Sequence, residues 1–257
     1  MPTRFGRWLL GTGARCWGRV DGETLALLQG PPWLDARESG DRVALCEVKP
    51  LCPVAPSKIL CIGRNYRAHA KEMGGEVPAE PLLFLKPPSA LLDPEAAVML
   101  PRESRRVEHE SELGVIIAER GRRIPLDRAM QHVFGYTIVG DITARDLQKS
   151  DGQWSRAKGF DTFCPVGPSL VCGIDPGDLA IRGRVNGVLR QEGSTREMIF
   201  DVARLVSHLS QAMTLEPGDL IATGTPEGVG PLVDGDTFEI EIEPIGVLRV
   251  AVRAEEP

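Results

Sequence analysis

The sequence lacks the features that mark several large classes of protein. Its six cysteines form no Cys-x-x-Cys pair, and a chain of 257 residues needs no disulfides, so free thiols in a reducing cytoplasm are expected. No apolar run approaches the roughly 20 residues of a membrane-spanning helix, and the apolar stretch after Arg4 and Arg7 is too short for a signal peptide. The net charge is −6 without a basic block, which disfavours nucleic acid. We therefore expect a cytoplasmic protein with neither a membrane nor a nucleic-acid partner.

Aromatic residues are also scarce, at 5% of the chain, whereas glycine and proline number 28 and 21. This balance indicates many turns and short strands, and therefore a mainly β fold with some helix. Residues 1–55 contain an Asp-Gly turn between two short strand-like segments, which predicts a small β-rich N-terminal domain. A proline-rich stretch at residues 51–57 marks its end, and residues 56–257 are expected to form the second domain.

Acidic residues cluster around one predicted strand. Residues 107–117 end in an apolar, β-branched run that is typical of a buried strand, on which Glu110 and Glu112 share a face. Residues 133–140 form a second apolar segment that ends at Asp141, so three carboxylates converge if the two strands are neighbours. An all-oxygen cluster of this kind suits Mg²⁺, Mn²⁺ or Ca²⁺ rather than Zn²⁺. The alternative is a solvated face of an edge strand, because glutamate is usually exposed.

A histidine and a carboxylate share a face of a short predicted helix at residues 67–73. His69 and Glu72 are three residues apart, and a carboxylate can hold an imidazole in one tautomer and make it a base. The glycine pair at 74–75 closes this helix. The alternative interpretation is a solvated ion pair on the surface.

Polar residues between positions 141 and 168 could complete a site. Arg145 could neutralise the carboxylates or form an ordinary salt bridge to Asp146 or a neighbour, and Gln148 could contact a ligand or be exposed. Lys158, one of six lysines, lies in a polar loop rich in glycine and proline. A partly buried lysine beside a metal can stabilise a developing enolate, and its alternative is a surface charge.

Three further elements are predicted from local signals. Residues 179–192 read as a hairpin with an Asn-Gly turn, and residues 200–213 as an amphipathic helix. Residues 223–230 are rich in glycine but do not have the spacing of a nucleotide-binding loop. Glycines there allow backbone N–H groups to approach a carboxylate.

Taken together and in order, these motifs closely resemble the fumarylacetoacetate hydrolase family over residues 55–252. The motifs that carry the resemblance are Gly63-Arg64-Asn65-Tyr66 with His69 and Glu72, Phe84-Leu85-Lys86-Pro87, Glu110-x-Glu112-Leu113, Gly140-Asp141-x-Thr143-Ala144-Arg145-Asp146-x-Gln148, Lys158-Gly159-Phe160-Asp161, and Thr223-Gly224-Thr225-Pro226.

The resemblance implies a mixed β-sandwich roll and a homodimer. It implies a divalent metal, normally Mg²⁺, on Glu110, Glu112 and Asp141, with Arg145 behind these ligands. It also implies that His69, Glu72 and Lys158 are catalytic and that the substrate is a small 2-oxo acid. The implied substrate contacts are Arg64, Tyr66, Gln148 and Thr225.

Two differences from the larger eukaryotic members of the family narrow the range of expected substrates. The larger eukaryotic members have an additional aspartate ligand near the N-terminus, which has no match here, and Gly152 stands where they have a tyrosine. Both disfavour fumarylacetoacetate itself. The resemblance then implies a 2-hydroxyhepta-2,4-diene-1,7-dioate isomerase or a related C–C hydrolase of aromatic catabolism, acting through a metal-stabilised enolate. Oxaloacetate decarboxylation on the same scaffold and a non-catalytic metal- or carboxylate-binding protein remain alternatives.

Overall fold

The computed structural model describes residues 2–256. Met1 of the predicted N-terminal domain and Pro257 of the predicted second domain lie outside the described residues. The described chain is mostly β. The strands are β1 (Thr3–Leu9), β2 (Arg15–Asp21), β3 (Thr24–Leu28), β4 (Glu38–Ala44), β5 (Lys49–Leu51), β6 (Ile59–Gly63), β7 (Leu82–Lys86), β8 (Leu91–Leu92), β9 (Ala97–Leu100), β10 (Val107–His109), β11 (Ser111–Ile117), β12 (Val133–Gly140), β13 (Thr143–Ala144), β14 (Cys164–Cys172), β15 (Ala180–Val185), β16 (Val188–Ser194), β17 (Leu220–Ala222), β18 (Gly230–Pro231), β19 (Thr237–Ile242) and β20 (Gly246–Ala254).

The helices are short. The α-helices are α1 (Arg67–Glu72), α2 (Arg145–Asp151), α3 (Ser155–Gly159) and α4 (Val202–Ala212), and a 3-10 helix spans Leu126–His132. The amphipathic helix predicted at residues 200–213 is confirmed as α4, whose apolar stripe of Val202, Leu205, Val206 and Leu209 is buried. No helix within residues 2–256 has the length and apolar character to cross a membrane.

The largest sheet runs through both parts of the chain. Its strand order is β4-β3-β2-β1-β14-β12-β11-β17-β6-β7, with β5 paired to β1 and β8 to β14. The N-terminal strands are joined to the rest where β1 pairs antiparallel with β14, with Thr3 opposite Cys172. The β-rich character predicted for the N-terminal part is confirmed. The division at residue 55 stays a prediction, because strands from both sides of it share this sheet.

A second sheet packs on the first and completes a sandwich-like core. It has the order β16-β15-β19-β20-β9. Its hairpin β15–β16 turns at Asn186 and Gly187, whose φ values of 52° and 76° are those of the predicted Asn-Gly turn. The two sheets approach closely where β15 crosses β11, since a Cβ on Gly183 would lie 2.4 Å from Ser111 Oγ. Leu113 and Val115 share one apolar cluster with Ile181 and Ile240 across this interface.

The strand predicted at residues 107–117 is interrupted, and this corrects the expectation of one continuous element. It forms β10 and β11, and Glu110 lies between them. The chain changes partners at this residue, because β10 pairs with β13 and β18 whereas β11 pairs with β12 and β17. Residue 110 therefore lies at the junction of two sheets.

Candidate active site

Three carboxylates converge where β11 and β12 meet. One oxygen from each of Glu110, Glu112 and Asp141 lies within 4.8 Å of the others, and all three residues are at most 4% exposed. The strand register explains this convergence. Ser111 pairs with Gly140, and the next main-chain contact is a 3.0 Å hydrogen bond from Asp141 N to Glu110 O. The predicted convergence is confirmed, and the alternative of a solvated strand face is wrong.

The carboxylates of the triad experience very different electrostatic environments. Burial alone would raise the pKa of Glu110, yet Lys158 and Arg145 outweigh it and hold that pKa well below its usual range. Their nitrogens donate to Glu110 at 2.8 and 2.7 Å. Glu112 has no such cation among residues 2–256 and accepts the N–H of Gly224 at 2.7 Å. Burial, Asp141 and Glu110 raise the pKa of Glu112 well above its usual value.

Asp141 lies between two buried lysines. Its Oδ2 accepts from Lys158 Nζ at 2.7 Å, and its Oδ1 lies 2.8 Å from Lys86 Nζ. The ammonium of Lys86 donates to the main-chain oxygens of Ile142, Lys158 and Phe163. Three protons are thereby used, so the contact with Asp141 is an ionic contact, and Oδ1 has no hydrogen-bond donor in the described chain.

These observations fit a hard divalent cation. The donor set is all oxygen and buried, the charge of Glu112 has no cationic partner in the described residues, and Oδ1 of Asp141 is left without a donor. Oxygen ligands of this kind are those that Mg²⁺, Mn²⁺ and Ca²⁺ prefer. Glu110, Glu112 and Asp141 are the residues that would hold such an ion.

Arg145 connects the triad with the strand that precedes it. Its guanidinium donates to Glu108 at 2.6 Å and to Glu110 and Gln148 at 2.7 Å each. Burial lowers the pKa of Arg145, but Glu110 and Glu108 outweigh it and raise the pKa above its usual value. The alternative pairing with Asp146 is wrong, because that side chain accepts from Ser104 and from Arg105 N. Glu108 lies two positions before Glu110, the spacing of residues on one face of a strand. This spacing is the signal that could have identified Glu108 as a further partner of Arg145.

The predicted pair of His69 and Glu72 forms on α1. His69 Nδ1 lies 3.1 Å from Glu72 Oε2, and His69 is 5% exposed whereas Glu72 is exposed, so the pair joins a buried imidazole to a carboxylate at the surface. The other oxygen of Glu72 accepts from Gly228 N at 3.0 Å and ties α1 to the glycine-rich loop. Asn65 fixes the start of the helix through hydrogen bonds to Thr223 O and Phe200 N.

One pocket brings most of the predicted residues together. Its lining contains the carboxylate triad, His69, Lys158 and Arg145, and the further residues Ile62, Gly63, Arg64, Met73, Phe84, Gln148, Trp154 and Thr225. Glu72 supports this wall through His69. Tyr66 is not in the lining. It is 1% exposed in the apolar core, and its hydroxyl has no hydrogen-bond partner in the described chain.

The hydroxyl of Thr225 is fully occupied within the protein. It donates to Ser111 O at 3.0 Å and accepts from Ser111 N and from Gln191 Nε2. A substrate contact of Thr225, as the resemblance implies, therefore requires another of its atoms or an exchange of these bonds. Gln191 itself was not predicted. It is fully buried, and its amide also bonds His109 and Pro226 O. No local pattern marks it, because a lone glutamine in a hairpin is usually exposed.

The chain belongs to the fumarylacetoacetate (FAA) hydrolase C-terminal family, whose model matches residues 58–253. This confirms the resemblance that the motifs indicate, and membership makes the chain an enzyme of this family rather than a non-catalytic binding protein. Residues 3–53 match a second family, described as Rv2993c-like, N-terminal.

Several relatives carry more specific descriptions. The oxaloacetate tautomerase YisK of Bacillus subtilis is 48% identical over 220 residues, which cover 80% of this chain and 73% of that protein. The structure of 2-hydroxyhepta-2,4-diene-1,7-dioate isomerase from Mycobacterium marinum is 41% identical with a TM-score of 0.91, covering 99% of this chain and 100% of that one. Fumarylpyruvate hydrolase from Pseudomonas aeruginosa, solved with Mn²⁺ and pyruvate, is 38% identical with a TM-score of 0.73, covering 79% and 91%.

Proposed function

We propose that this protein is a divalent-metal-dependent enzyme that converts 2-oxo or 2-hydroxydienoic acids through a pyruvate-type enolate. The favoured reactions are isomerisation of 2-hydroxyhepta-2,4-diene-1,7-dioate and hydrolysis of a C–C bond in acylpyruvate-type substrates, in the catabolism of aromatic compounds. The observation that carries the proposal is the buried oxygen triad with Lys158 between Glu110 and Asp141. Similarity to the isomerase and to the fumarylpyruvate hydrolase supports it.

The triad is proposed to hold Mg²⁺, with Mn²⁺ or Ca²⁺ as alternatives. When bound, such a cation supplies Lewis-acid stabilisation of negative charge that develops on the 2-oxo group of the substrate. The Pseudomonas relative was solved in complex with Mn²⁺ and pyruvate, which supports a divalent ion and a 2-oxo acid as ligands. Lys158 and Arg145 together lower the pKa of Glu110 and keep it ionised, so this ligand is available at physiological pH.

Lys158 is proposed to donate a proton or hydrogen bond to the developing enolate oxygen. Burial lowers its pKa, yet Asp141 and Glu110 outweigh burial and raise the pKa above the usual lysine value. The side chain is therefore protonated at neutral pH. A buried, preorganised ammonium stabilises developing negative charge far better than water does.

His69 is proposed to be the base. An ionised Glu72 only accepts hydrogen bonds, so His69 Nδ1–H donates to it and Nε2 is left with a free lone pair. Such a nitrogen can move a proton between carbon and oxygen in an isomerase, or take a proton from water in a hydrolase. The bond from Gly228 N to Glu72 holds the dyad against the glycine-rich loop while this occurs.

A second candidate is a reaction of oxaloacetate. It is favoured by the similarity to the Bacillus subtilis oxaloacetate tautomerase, at 48% identity. Interconversion of keto and enol forms moves one proton between carbon 3 and the 2-oxo oxygen, and His69 and Lys158 supply the required base and acid. Decarboxylation of oxaloacetate generates the same enolate by loss of CO₂ and is the further alternative on this scaffold.

The test is turnover of acylpyruvates, 2-hydroxyhepta-2,4-diene-1,7-dioate and oxaloacetate by ultraviolet absorbance, with Mg²⁺ and with EDTA. Activity that EDTA abolishes and Mg²⁺ restores is expected, and Glu110→Gln and Asp141→Asn should remove it. The matched control is Glu103→Gln, which changes an exposed carboxylate. Activity that survives EDTA, or that is lost equally in the control, contradicts the proposal.

The assembly and location are proposed as a cytoplasmic homodimer. This rests on the resemblance of the motifs to the family and on the six free thiols, of which Cys52, Cys61 and Cys164 are buried. Light scattering on a size-exclusion column tests the dimer, and a mass equal to the 27.9 kDa of one chain contradicts it.

A further inference from the structure

Arg64 is the cation of the pocket wall that the protein leaves without a partner. The other two cations of this lining are committed, because Lys158 binds Glu110 and Asp141 and Arg145 binds Glu108 and Glu110. Within residues 2–256 the guanidinium of Arg64 has neither a carboxylate partner nor a hydrogen-bond acceptor, and Arg64 is one of the residues that line this pocket. A guanidinium has five N–H donors in a planar fork that matches a carboxylate.

The backbone holds this arginine in a costly conformation. Arg64 has a φ of 57°, in the left-handed region that bulky residues rarely adopt. A conformation of this kind is maintained only when the surrounding structure imposes it, and such residues concentrate at binding sites. Here the conformation falls at the turn between β6 and α1, immediately before the helix that carries His69.

Two glycines leave space for bulky side chains at this wall, Gly75 for Arg64 and Gly63 for Trp154. A Cβ on Gly75, just beyond α1, would lie 2.5 Å from Arg64 Nη1 and 2.8 Å from its Cζ. A Cβ on Gly63 would lie 2.8 Å from the ring of Trp154. The guanidinium therefore packs against the segment that follows α1, and Trp154 and Met73 line the same pocket as Arg64. Apolar walls strengthen the pairing of opposite charges by excluding water.

We propose that Arg64 binds a second, distal carboxylate of the substrate and makes this enzyme selective for 2-oxo dicarboxylic acids. This inference rests on the proposed function, in which the first carboxylate and the 2-oxo group occupy the triad end of the pocket. A distal carboxylate would accept hydrogen bonds from the free guanidinium. The guanidinium would then link the substrate to the glycine pair at 74–75, which follows α1. A neutral distal group would leave the guanidinium unpaired at the pocket wall.

Calorimetric binding to Mg²⁺-loaded protein tests the inference without requiring turnover. The probes are two matched pairs, 2-oxoglutarate with its distal amide 2-oxoglutaramate, and oxaloacetate with its distal amide 2-oxosuccinamate. We expect at least one dicarboxylate to bind wild-type protein about tenfold or more tightly than its amide, the usual effect of a charge-assisted hydrogen bond. Arg64→Met should abolish that ratio and change amide binding about twofold or less. Arg64→Lys should retain part of the ratio.

Arg67→Met is the matched control. Arg67 is exposed at the start of α1, three residues from Arg64, and does not line the pocket. It should keep the full ratio, which separates a specific contact from a general effect of positive charge. Because each ratio compares two ligands on the same variant, it is unaffected by partial loss of folded protein.

Two results overturn the inference alone. In the first, wild-type protein binds both amides as tightly as the dicarboxylates. In the second, the Arg64→Met variant keeps the ratio of dicarboxylate to amide affinity seen in the wild type, or its affinities for the dicarboxylate and the amide fall equally. Equal weakening would place Arg64 at the triad end of the substrate. If wild-type protein with Mg²⁺ binds none of the four acids, the proposed function itself fails.

Discussion

Lys86 Nζ lies 2.8 Å from Asp141 Oδ1 while its hydrogen bonds are directed to the main-chain oxygens of Ile142, Lys158 and Phe163. The lysine thus fixes the backbone on both sides of the site and places a positive charge beside one triad oxygen. All three ammonium protons go to these main-chain oxygens, so none is donated to Asp141.

Substitution of Lys86 should therefore cost stability as well as metal binding. Lys86→Met leaves three buried carbonyls and a carboxylate without their cation, and loss of one partner of a buried pair costs about 3–5 kcal/mol. Denaturant unfolding measures this loss. Lys149→Met, at an exposed position, is the control and should change the free energy of unfolding by less than about 0.5 kcal/mol. A Lys86→Met protein as stable as the control contradicts this role.

The pH dependence of stability should report on Glu112. Its folded pKa is raised by burial and by Asp141 and Glu110 above the ordinary 4.5, so in metal-free protein the folded state binds more protons than the unfolded state as pH rises from 4.5. The free energy of unfolding from this group then falls with increasing pH until the folded pKa is passed. Mg²⁺, which requires the ionised form, should stabilise the protein more at higher pH.

The measurement is denaturant unfolding in EDTA between about pH 5.5 and 7.5, compared with Glu112→Gln. The comparison is needed because burial lowers the pKa of His109 below 6.5, which gives that group the opposite slope. Subtracting the variant from the wild type leaves the Glu112 contribution. A difference that does not vary with pH shows that Glu112 is ionised without metal.

His69→Ala should distinguish hydrolysis from decarboxylation. Hydrolysis needs a base to activate water, so its rate should fall by about two to four powers of ten. Decarboxylation of oxaloacetate forms the enolate directly and should fall much less. Both rates are measured on one preparation at saturating Mg²⁺, with Glu76→Gln, an exposed acid beyond the same helix, as control. Equal losses would assign the dyad to a step that the two reactions share.

The glycine pair after α1 offers a test of the Arg64 geometry that leaves Arg64 in place. Gly75→Ala puts a methyl group 2.5 Å from Arg64 Nη1 and should displace the guanidinium, reducing the preference for dicarboxylates over amides. Gly74→Ala is the control. Its φ of 67° makes alanine strained by about 1–2 kcal/mol, but no atom lies within 4 Å of the new Cβ, so the preference should persist. Equal preferences in both variants would contradict the packing argument.

Sequence could predict the residues whose chemistry is set by local spacing. Glu110 and Glu112 are two residues apart in a strand-like segment, and His69 and Glu72 are three apart on a helix, so both pairs could be predicted from their spacing even though the strand is interrupted at Glu110. The convergence with Asp141 needed one further assumption, that two apolar strands are neighbours, and the ladder of β11 and β12 confirms it.

Other features depend on contacts between distant segments and have no local signature. Gln191 reaches Ser111 and Thr225 only because the hairpin β15–β16 packs across β11. Lys86 ends an ordinary apolar strand, and nothing near it in sequence shows that its ammonium meets Ile142 and Phe163. The break at Glu110 likewise arises from a change of strand partners, which no pattern of alternating residues encodes.

The pairing of β1 with β14 has a consequence for removal of the N-terminal strands. β14 is held on its other side by β12, the strand that ends just before Asp141. Removing the first fifty residues would uncover the backbone of Leu170, Val171 and Cys172, the part of β14 that pairs with β1, and a bare strand edge is a template for intermolecular association. The N-terminal strands thus cover this part of the β14 edge, although they contribute no side chain to the pocket two strands away.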